Sequence, residues 1–296
     1  MGPRMHADEI PTDPGLVERL IATQFPQWAE LPIRPVASAG TDNALYRLGA
    51  DMVVRLPRIA GAVESVDAEQ RWLPHPAPLL PVAIPEPLGR GGPAQGYPWP
   101  WSVLLWLGGE PPAVDRLADP ERLARDLAAF IGALRRIDTA GAPPAGRRGP
   151  LAPRDAQTRE AIAALSGMVD TEAVTAAWDA ALQVPEWQGA PVWLHTDLSP
   201  GNLLVAGGRL SAVIDWAGAG VGDPACDLPI AWNLLPAGVR DLFRATLDVD
   251  DATWARGRGW ALSIALIQLP YYHETNRPLA ANARHVIEEV HAWASS

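Results

Sequence analysis

The residues best suited to chemistry lie in one stretch, Val192–Asp227, which reads VWLHTDLSPGNLLVAGGRLSAVIDWAGAGVGDPACD. Four residues separate Asp197 from Asn202, and Asp215 follows a second short apolar run. Phosphoryl transfer uses these side-chain types: an Asp receives or orients the attacking hydroxyl, while an Asn and a second Asp hold Mg²⁺ ions on the nucleotide phosphates. The stretch therefore predicts an Mg²⁺-dependent phosphoryl transfer.

A hairpin is predicted to bring the magnesium ligands together. Leu203–Val205 and Leu210–Ile214 are apolar runs, and Gly207-Gly208 between them is a two-residue turn signal. Antiparallel pairing around this turn would place Asn202 and Asp215 at the open end of one hairpin. Oxygen ligands with positions left open for phosphate and water suit Mg²⁺.

The motifs HTDLSPGN, VIDW and GDPACD occur in this order. With them the chain resembles the aminoglycoside phosphotransferase family, relatives of the protein kinases that include choline kinase-like and macrolide kinase-like enzymes. The resemblance implies that Asp197 is the catalytic base and that Asn202 and Asp215 bind Mg²⁺. It also implies that His195 and Asp227 brace the catalytic loop.

The resemblance further implies a two-lobed, protein-kinase-like α+β fold. A nucleotide-binding lobe with a small antiparallel sheet is expected over residues 1–107. A larger, mainly helical lobe for catalysis and substrate binding is expected over residues 108–296. The chain departs from the family at Thr196, where Gly is common, and at Ser199, where His is frequent. Neither is a ligand position, so the implied chemistry is unchanged.

Three short strands are predicted near the N-terminus, Ile33–Ser38, Ala44–Leu48 and Met52–Leu56, with a polar loop at residues 39–43 between the first two. This arrangement is typical of the hairpin that covers the nucleotide in a kinase small lobe. We therefore expect Asn43, at the end of the loop, to contact the nucleotide.

The cation of this lobe is expected to be an arginine, because the chain contains no lysine. Arg55 falls where the family has its phosphate-binding lysine, and Glu69 matches the helix glutamate that pairs with it. Arg58 is the competing cation. A guanidinium is planar and larger than an ammonium, so its distance to phosphate must differ. Activity with Arg55 could be kept, retuned or impaired.

The C-terminal half is predicted to be helical. Helices are expected near 228–235, 239–247, 252–269 and 279–293. The predicted N-caps of earlier helices are Thr12 or Asp13 for the first, then Asp119 and Asp170. Acceptor specificity in the family comes from the C-terminal helices and their connections, so Tyr271 and Glu274 are substrate candidates, together with Asp227. The composition of the segment 141–153 predicts a loop. Its two arginines, Arg147 and Arg148, are expected to be solvated, with a substrate contact as the alternative.

The amino-acid composition argues against several classes of function. The net charge of −10 argues against a general nucleic-acid binder, and no apolar run is long enough to span a bilayer. No secretory signal is evident, so we expect a cytoplasmic protein. The single cysteine, Cys226, excludes an intramolecular disulfide. The absence of lysine excludes Walker-A binding and Schiff-base chemistry.

Alternative interpretations stay open for the acceptor and for activity itself. The resemblance implies an antibiotic acceptor such as an aminoglycoside or a macrolide, but sugar, amino-alcohol and other metabolite kinases share these motifs. A nucleotide-binding pseudokinase without transfer activity is the other alternative. ATP and GTP are not distinguished, and oligomeric state is not predicted. A dinucleotide-binding interpretation of Gly218, Gly220 and Gly222 fails, because the fingerprint requires a third glycine where Asp223 stands.

Overall fold

The computed structural model describes residues 9–36 and 42–294, with side chains up to residue 290. The chain forms two compact units. The first extends to Glu110 and also contains Ser211–Ala217, and the second comprises Pro111–Leu210 and the chain from Gly218 onward. The lobe expected from the sequence, residues 1–107, does not include the segment Ser211–Ala217 that packs in the first unit.

A five-stranded antiparallel sheet forms the first unit, in the order β1-β2-β3-β5-β4. Its strands are β1 (Ile33–Pro35), β2 (Asn43–Leu48), β3 (Met52–Pro57), β4 (Pro87–Gly91) and β5 (Trp101–Leu105), and its helices are α1 (Pro14–Gln24) and α2 (Val63–Trp72). The small antiparallel sheet was predicted. The first predicted strand is shorter than expected, and Ser38 and most of the polar loop, residues 39–41, lie outside the described residues.

Helix α1 and the sheet share one core. Asp13 caps α1, as predicted: its Oδ1 accepts a hydrogen bond from the Leu16 amide at 2.7 Å. The buried apolar residues on α1 and the sheet form a single cluster: Leu16, Val17, Leu20, Ile21, Ala44, Tyr46, Leu48, Val54, Leu56, Tyr97, Trp101 and Val103. Because side chains alternate along a strand, Val54 and Leu56 join this cluster while Arg55 points to the opposite face of β3.

Two backbone hydrogen bonds attach Ser211–Ala217 to the first unit. The Ala83 amide donates to Ser211 O at 3.1 Å, and the Val213 amide donates to Ala83 O at 3.0 Å. The Ser211 hydroxyl also donates to Gly108 O at 3.2 Å. The first unit is therefore built from two distant pieces of sequence.

Helices dominate the second unit. Its elements are α3 (Pro120–Arg135), α4 (Asp155–Ala164), α5 (Thr171–Leu182), β6 (Val192–Leu194), β7 (Leu203–Ala206), β8 (Arg209–Val213, which continues into the first unit), β9 (Gly220–Gly222), α6 (Ile230–Asn233), α7 (Ala237–Leu247), α8 (Asp251–Tyr272) and α9 (Arg277–Ala294). Asp119 and Asp170 cap α3 and α5, as predicted. None of the helices between residues 9 and 294 has both the length and the apolar character needed to cross a bilayer.

All four predicted C-terminal helices differ in length from those observed, and the two differences at α6 and α8 involve prolines. Helix α6 covers only Ile230–Asn233 of the expected 228–235, because Pro229 and Pro236 bracket it. Helix α8 continues past Leu269 to Tyr272 with Pro270 inside its last turn. Pro270 lacks the N–H that would donate to the carbonyl four residues earlier, and the helix ends two residues after it.

Strands β7 and β8 pair in a two-stranded sheet. Gly207 and Gly208 join them with φ values of 57° and 75°, which is the left-handed backbone that a two-residue turn with both central residues at positive φ requires. The predicted hairpin is therefore confirmed.

Strand β9 is packed on both edges. On one side it pairs antiparallel with β6. On the other, four backbone hydrogen bonds of 2.9–3.1 Å join residues 143–148 to residues 218–223. A Cβ on Gly220 would lie 2.6 Å from Pro143 O, and one on Gly222 would lie 2.7 Å from Arg148 Cα. The alternating glycines thus serve close packing of this segment, which explains them without a dinucleotide.

We expect Gly220→Ala to lower the free energy of unfolding by about 1–3 kcal/mol, the usual cost of forcing extra atoms into a packed contact. Gly238→Ala is the control. A Cβ there meets nothing within 4 Å in α7, so stability should stay equal or rise by up to about 1 kcal/mol. Denaturant unfolding of both variants measures this, and equal effects would contradict the packing argument.

Candidate active site

A buried carboxylate holds the start of the predicted catalytic loop. Asp227, in the short 3₁₀ helix Pro224–Asp227, is fully buried, and its Oδ2 and Oδ1 accept hydrogen bonds from the His195 amide (3.0 Å) and the Thr196 amide (2.6 Å). Burial raises the pKa of Asp227, while His195 and the two amides oppose the shift. With no exposed surface, Asp227 does not fit the predicted substrate contact; its position fits the bracing role.

Thr196 adopts a conformation that glycine accepts more easily. Its φ is 71°, an outlier for a β-branched residue, and its hydroxyl donates to Gly218 O at 3.2 Å. This is the position where the family commonly has Gly. The left-handed backbone supplies the physical reason for that preference.

Asp197 is held from two sides. Asn202 Nδ2 donates to both Asp197 Oδ2 and the Asp197 carbonyl, each at 2.9 Å. Arg147 Nη1 donates to Asp197 Oδ1 at 2.7 Å and to Thr196 O at 2.6 Å. The Asp197 amide donates to His195 Nδ1 at 3.3 Å, and the Asp197 side chain is 45% exposed. The carboxylate is therefore fixed in orientation yet open to a reactant.

Arg147 contacts Asp197, which the sequence did not predict. It was expected to be a solvated loop residue, but it is only 30% exposed and forms an ion pair with Asp197. Arg148 instead donates to Ala145 O within its own loop. The loop composition gives no sign of the pair, because the contact depends on how residues 143–148 lie along β9.

Arg55 is the centre of a second group of polar residues, in the first unit. Its Nη1 donates to both oxygens of Glu69 at 2.5 Å, and its Nη2 donates to Asp215 Oδ1 at 3.2 Å. With the Asn43 amide oriented so that its oxygen faces the guanidinium, Asn43 accepts from Nη2 (3.0 Å) and Nε (3.2 Å). Arg58 lies 4.0 Å from Glu9 instead. The cation paired with Glu69 is therefore Arg55.

The guanidinium of Arg55 is buried and stays charged. Burial disfavours the cation, but the carboxylates of Glu69 and Asp215 outweigh that effect and raise the pKa of Arg55. Its five N–H donors match the five contacts to Glu69, Asp215 and Asn43. A phosphate contact from Arg55 would require one of these bonds to be given up.

The residues predicted to bind Mg²⁺ have suitable donor atoms. Asp215 has a φ of 64° and a side chain that is 44% exposed, and its Oδ2 accepts no hydrogen bond from the described residues. Asn202 uses its amide nitrogen on Asp197, which leaves Oδ1 without a described partner. A carboxylate and an amide oxygen fit a hard cation that keeps other positions for phosphate and water. No group of three His, Cys, Asp or Glu side chains within residues 9–36 and 42–290 is arranged for a metal.

The two remaining substrate candidates are exposed. Tyr271, in the last turn of α8, is 59% exposed, and its ring packs edge-on against Tyr272. Glu274 is 80% exposed, with Oε1 3.6 Å from His273 Nε2. Nothing in these contacts ties either residue to Asp197, so their role stays a prediction.

Thr196→Gly should keep the free energy of unfolding within about 1 kcal/mol, because the release of roughly 1–3 kcal/mol of backbone strain offsets the lost hydroxyl bond and the added chain entropy. Thr196→Val keeps the strained φ and loses the bond to Gly218, so it should cost about 1–2 kcal/mol. Denaturant unfolding ranks the two variants. A valine variant as stable as the glycine variant would refute the strain.

Arg55→Met should lower the free energy of unfolding by about 3–5 kcal/mol, because it leaves Glu69 buried without its partner. Arg90→Met is the control, since the Arg90–Asp67 pair has a similar distance, 2.5 Å, but side chains 46% and 62% exposed. Exposed pairs contribute about 0–1 kcal/mol. Equal losses in the two variants, measured by denaturant unfolding, would contradict the importance of burial.

Comparison with known proteins gives the fold and the family. Two similar solved structures are the GDP and kanamycin complex of APH(2")-IIia, 20% identical with a TM-score of 0.73 over 93% of this chain and 98% of that chain, and macrolide 2'-phosphotransferase MphH from Brachybacterium faecium, 23% identical with a TM-score of 0.63 over 95% and 98%. They confirm the predicted kinase-like α+β fold. No curated protein matches the sequence.

The family assignment comes from the sequence match. Residues 33–260 match the family model described as APH, the phosphotransferase enzyme family. This region includes the first-unit group around Arg55 and the whole catalytic loop. Because the match covers most of the 296 residues, the chain belongs to the phosphotransferase enzyme family.

Proposed function

We propose that the protein is a small-molecule kinase that transfers the γ-phosphate of ATP or GTP to a hydroxyl of an antibiotic-like acceptor, an aminoglycoside or a macrolide. The observation that carries the proposal is the Asp197 carboxylate, oriented by Asn202 but 45% exposed, in the family's catalytic motif. Similar structures are described as complexes with GDP, ADP, kanamycin and gentamicin, and others are macrolide 2'-phosphotransferases.

In the proposed reaction Asp197 accepts the proton of the acceptor hydroxyl while the hydroxyl oxygen bonds to the γ-phosphorus. The bond from that phosphorus to its bridging oxygen breaks, and ADP or GDP leaves. The work of the protein is orientation, because phosphoryl transfer asks for little covalent chemistry from side chains. His195 and Asp227 contribute by fixing the backbone that precedes the base.

The remaining motif residues are assigned to the phosphate donor. Asn202 and Asp215 would hold Mg²⁺, which when bound supplies positive charge to the nucleotide phosphates. We assign the first unit, with Asn43, Arg55 and Glu69, to the nucleotide. Arg55 orders Glu69 and Asp215 through direct hydrogen bonds. It would contribute to the site through these contacts as well as through any contact with phosphate.

Acceptor recognition is assigned to the C-terminal helices, with Glu274 and Tyr271 as candidates. A carboxylate such as Glu274 suits an amine-bearing acceptor, whether an aminoglycoside or a smaller amino alcohol. Metabolite kinases are therefore part of the same test.

A second candidate function is a nucleotide-binding regulator without transfer. One observation favours it: every N–H donor of Arg55 already has a protein partner, so the usual cation of the nucleotide lobe has none to spare. The intact group of Asp197, Asn202 and Asp215 favours the enzyme.

The test is Mg²⁺-dependent release of ADP or GDP, with both nucleotides, against aminoglycosides, macrolides, sugars and small amino alcohols. Asp197→Asn should lower kcat by about 10²–10⁴-fold, the usual contribution of a general base. Asp179→Asn is the control, since Asp179 pairs only with Arg159 on the surface and should behave as wild type.

The outcomes separate the candidates. Acceptor-stimulated turnover that Asp197→Asn abolishes would support the kinase and identify its acceptor class. Normal turnover in Asp197→Asn would refute the assigned base. Nucleotide binding without turnover on any acceptor or on water would favour the regulator.

A further inference from the structure

The loop that carries Arg147 is fixed before any substrate binds. Its backbone is hydrogen-bonded along β9: the Gly146 amide donates to Gly218 O at 2.9 Å, and the Asp223 amide donates to Arg148 O at 3.0 Å. Gly222 lets the chain approach closely, because a Cβ there would strike Arg148. The backbone of Arg147 therefore has a fixed position beside the catalytic loop.

The Arg147 side chain then makes two directed contacts. Nη1 donates to Asp197 Oδ1 at 2.7 Å and to Thr196 O at 2.6 Å. Asn202 occupies the other oxygen of the same carboxylate at 2.9 Å. A carboxylate held by a guanidinium on one oxygen and an amide on the other has its rotation restricted. Charge-assisted hydrogen bonds of this kind are stronger than neutral ones.

Arg147 is the cation that contacts Asp197 among the described residues, and the chain has no lysine that could take its place. The contact joins residues 50 positions apart in the sequence. It also involves a loop with no other catalytic side chain. The contact is directed at a carboxylate that is 45% exposed and lies in the predicted catalytic motif.

We propose that Arg147 is a positioning residue for the phosphotransfer, whose guanidinium holds the Asp197 carboxylate in the orientation that meets the acceptor hydroxyl. This inference rests on the function proposed above. Misplacing a reactive group by about 1 Å can cost 10²-fold in rate, so the hold matters even though Arg147 itself does not receive the proton.

The matched variants are Arg147→Ala and Arg148→Ala. They remove the same charge from neighbouring positions of one loop, but among the described residues the Arg148 side chain donates its hydrogen bond to Ala145 O and not to Asp197. We expect Arg147→Ala to lower kcat by about 10–100-fold, with the KM for nucleotide within about twofold of wild type, because orientation and not donor binding is lost. Arg148→Ala should keep wild-type kcat.

Rescue distinguishes positioning from a structural role. Added guanidinium at millimolar concentration should restore part of the kcat of Arg147→Ala and have no such effect on Arg148→Ala, and Arg147→Lys should retain more activity than Arg147→Ala. Thermal unfolding of each variant checks that the fold is intact. Activity loss that follows unfolding, without rescue by guanidinium or lysine, would overturn the proposal.

Other outcomes are equally decisive. If Arg147→Ala turns over as fast as Arg148→Ala, or faster than wild type, Arg147 does not position the base, while the proposed kinase function stands. If the wild-type protein transfers phosphate neither to an acceptor nor to water, the kinase function fails and the role of Arg147 fails with it.

Discussion

The catalytic loop depends on one buried carboxylate. Where the chain leaves β6 and bends sharply, two backbone N–H groups in the interior need an acceptor. A buried donor left unpaired would lower the stability of the fold. Asp227 accepts from both, through its two oxygens, and so imposes the left-handed backbone at Thr196. That bend carries Asp197 out of the interior to where Asn202 can hold it. Without this buried acceptor the Asp197 carboxylate would have no defined position.

The arginine at position 55, in place of a lysine, fixes several residues of the first unit as Asp227 fixes the loop. A lysine offers three donors from one point, whereas a guanidinium offers five in a plane. In this protein all five are matched, to Glu69, Asp215 and Asn43. Arg55 therefore connects helix α2, the start of β2 and Asp215, two residues after β8, in one network. Arg55 orders these residues, and a phosphate could contact its guanidinium only by replacing one of the five hydrogen bonds.

The catalytic motif could be predicted because its parts are local. Spacing and turn chemistry predicted the hairpin β7–β8, and the bracing role implied for Asp227 fits a residue that bonds the loop directly. Arg147 was missed because its partner Asp197 is 50 residues away and the contact depends on the path of a proline-rich loop. From the sequence, Gly220 was compared only with the dinucleotide-binding fingerprint. Its close contact with residues 143–148 depends on the tertiary structure. The strain at Thr196 likewise requires backbone angles that no residue pattern supplies.

The composition of the first unit has a consequence for how the protein is made. Its segment Ser211–Ala217 is held by Ala83 and supplies the Asp215 partner of Arg55, 160 residues away. Domains tend to fold from the N-terminus as the chain emerges, but this one cannot be completed at residue 110. A ribosome must first synthesise about half of the other unit, including α3, α4 and α5. Until then Arg55 and Glu69 lack Asp215, the third residue of their hydrogen-bond network.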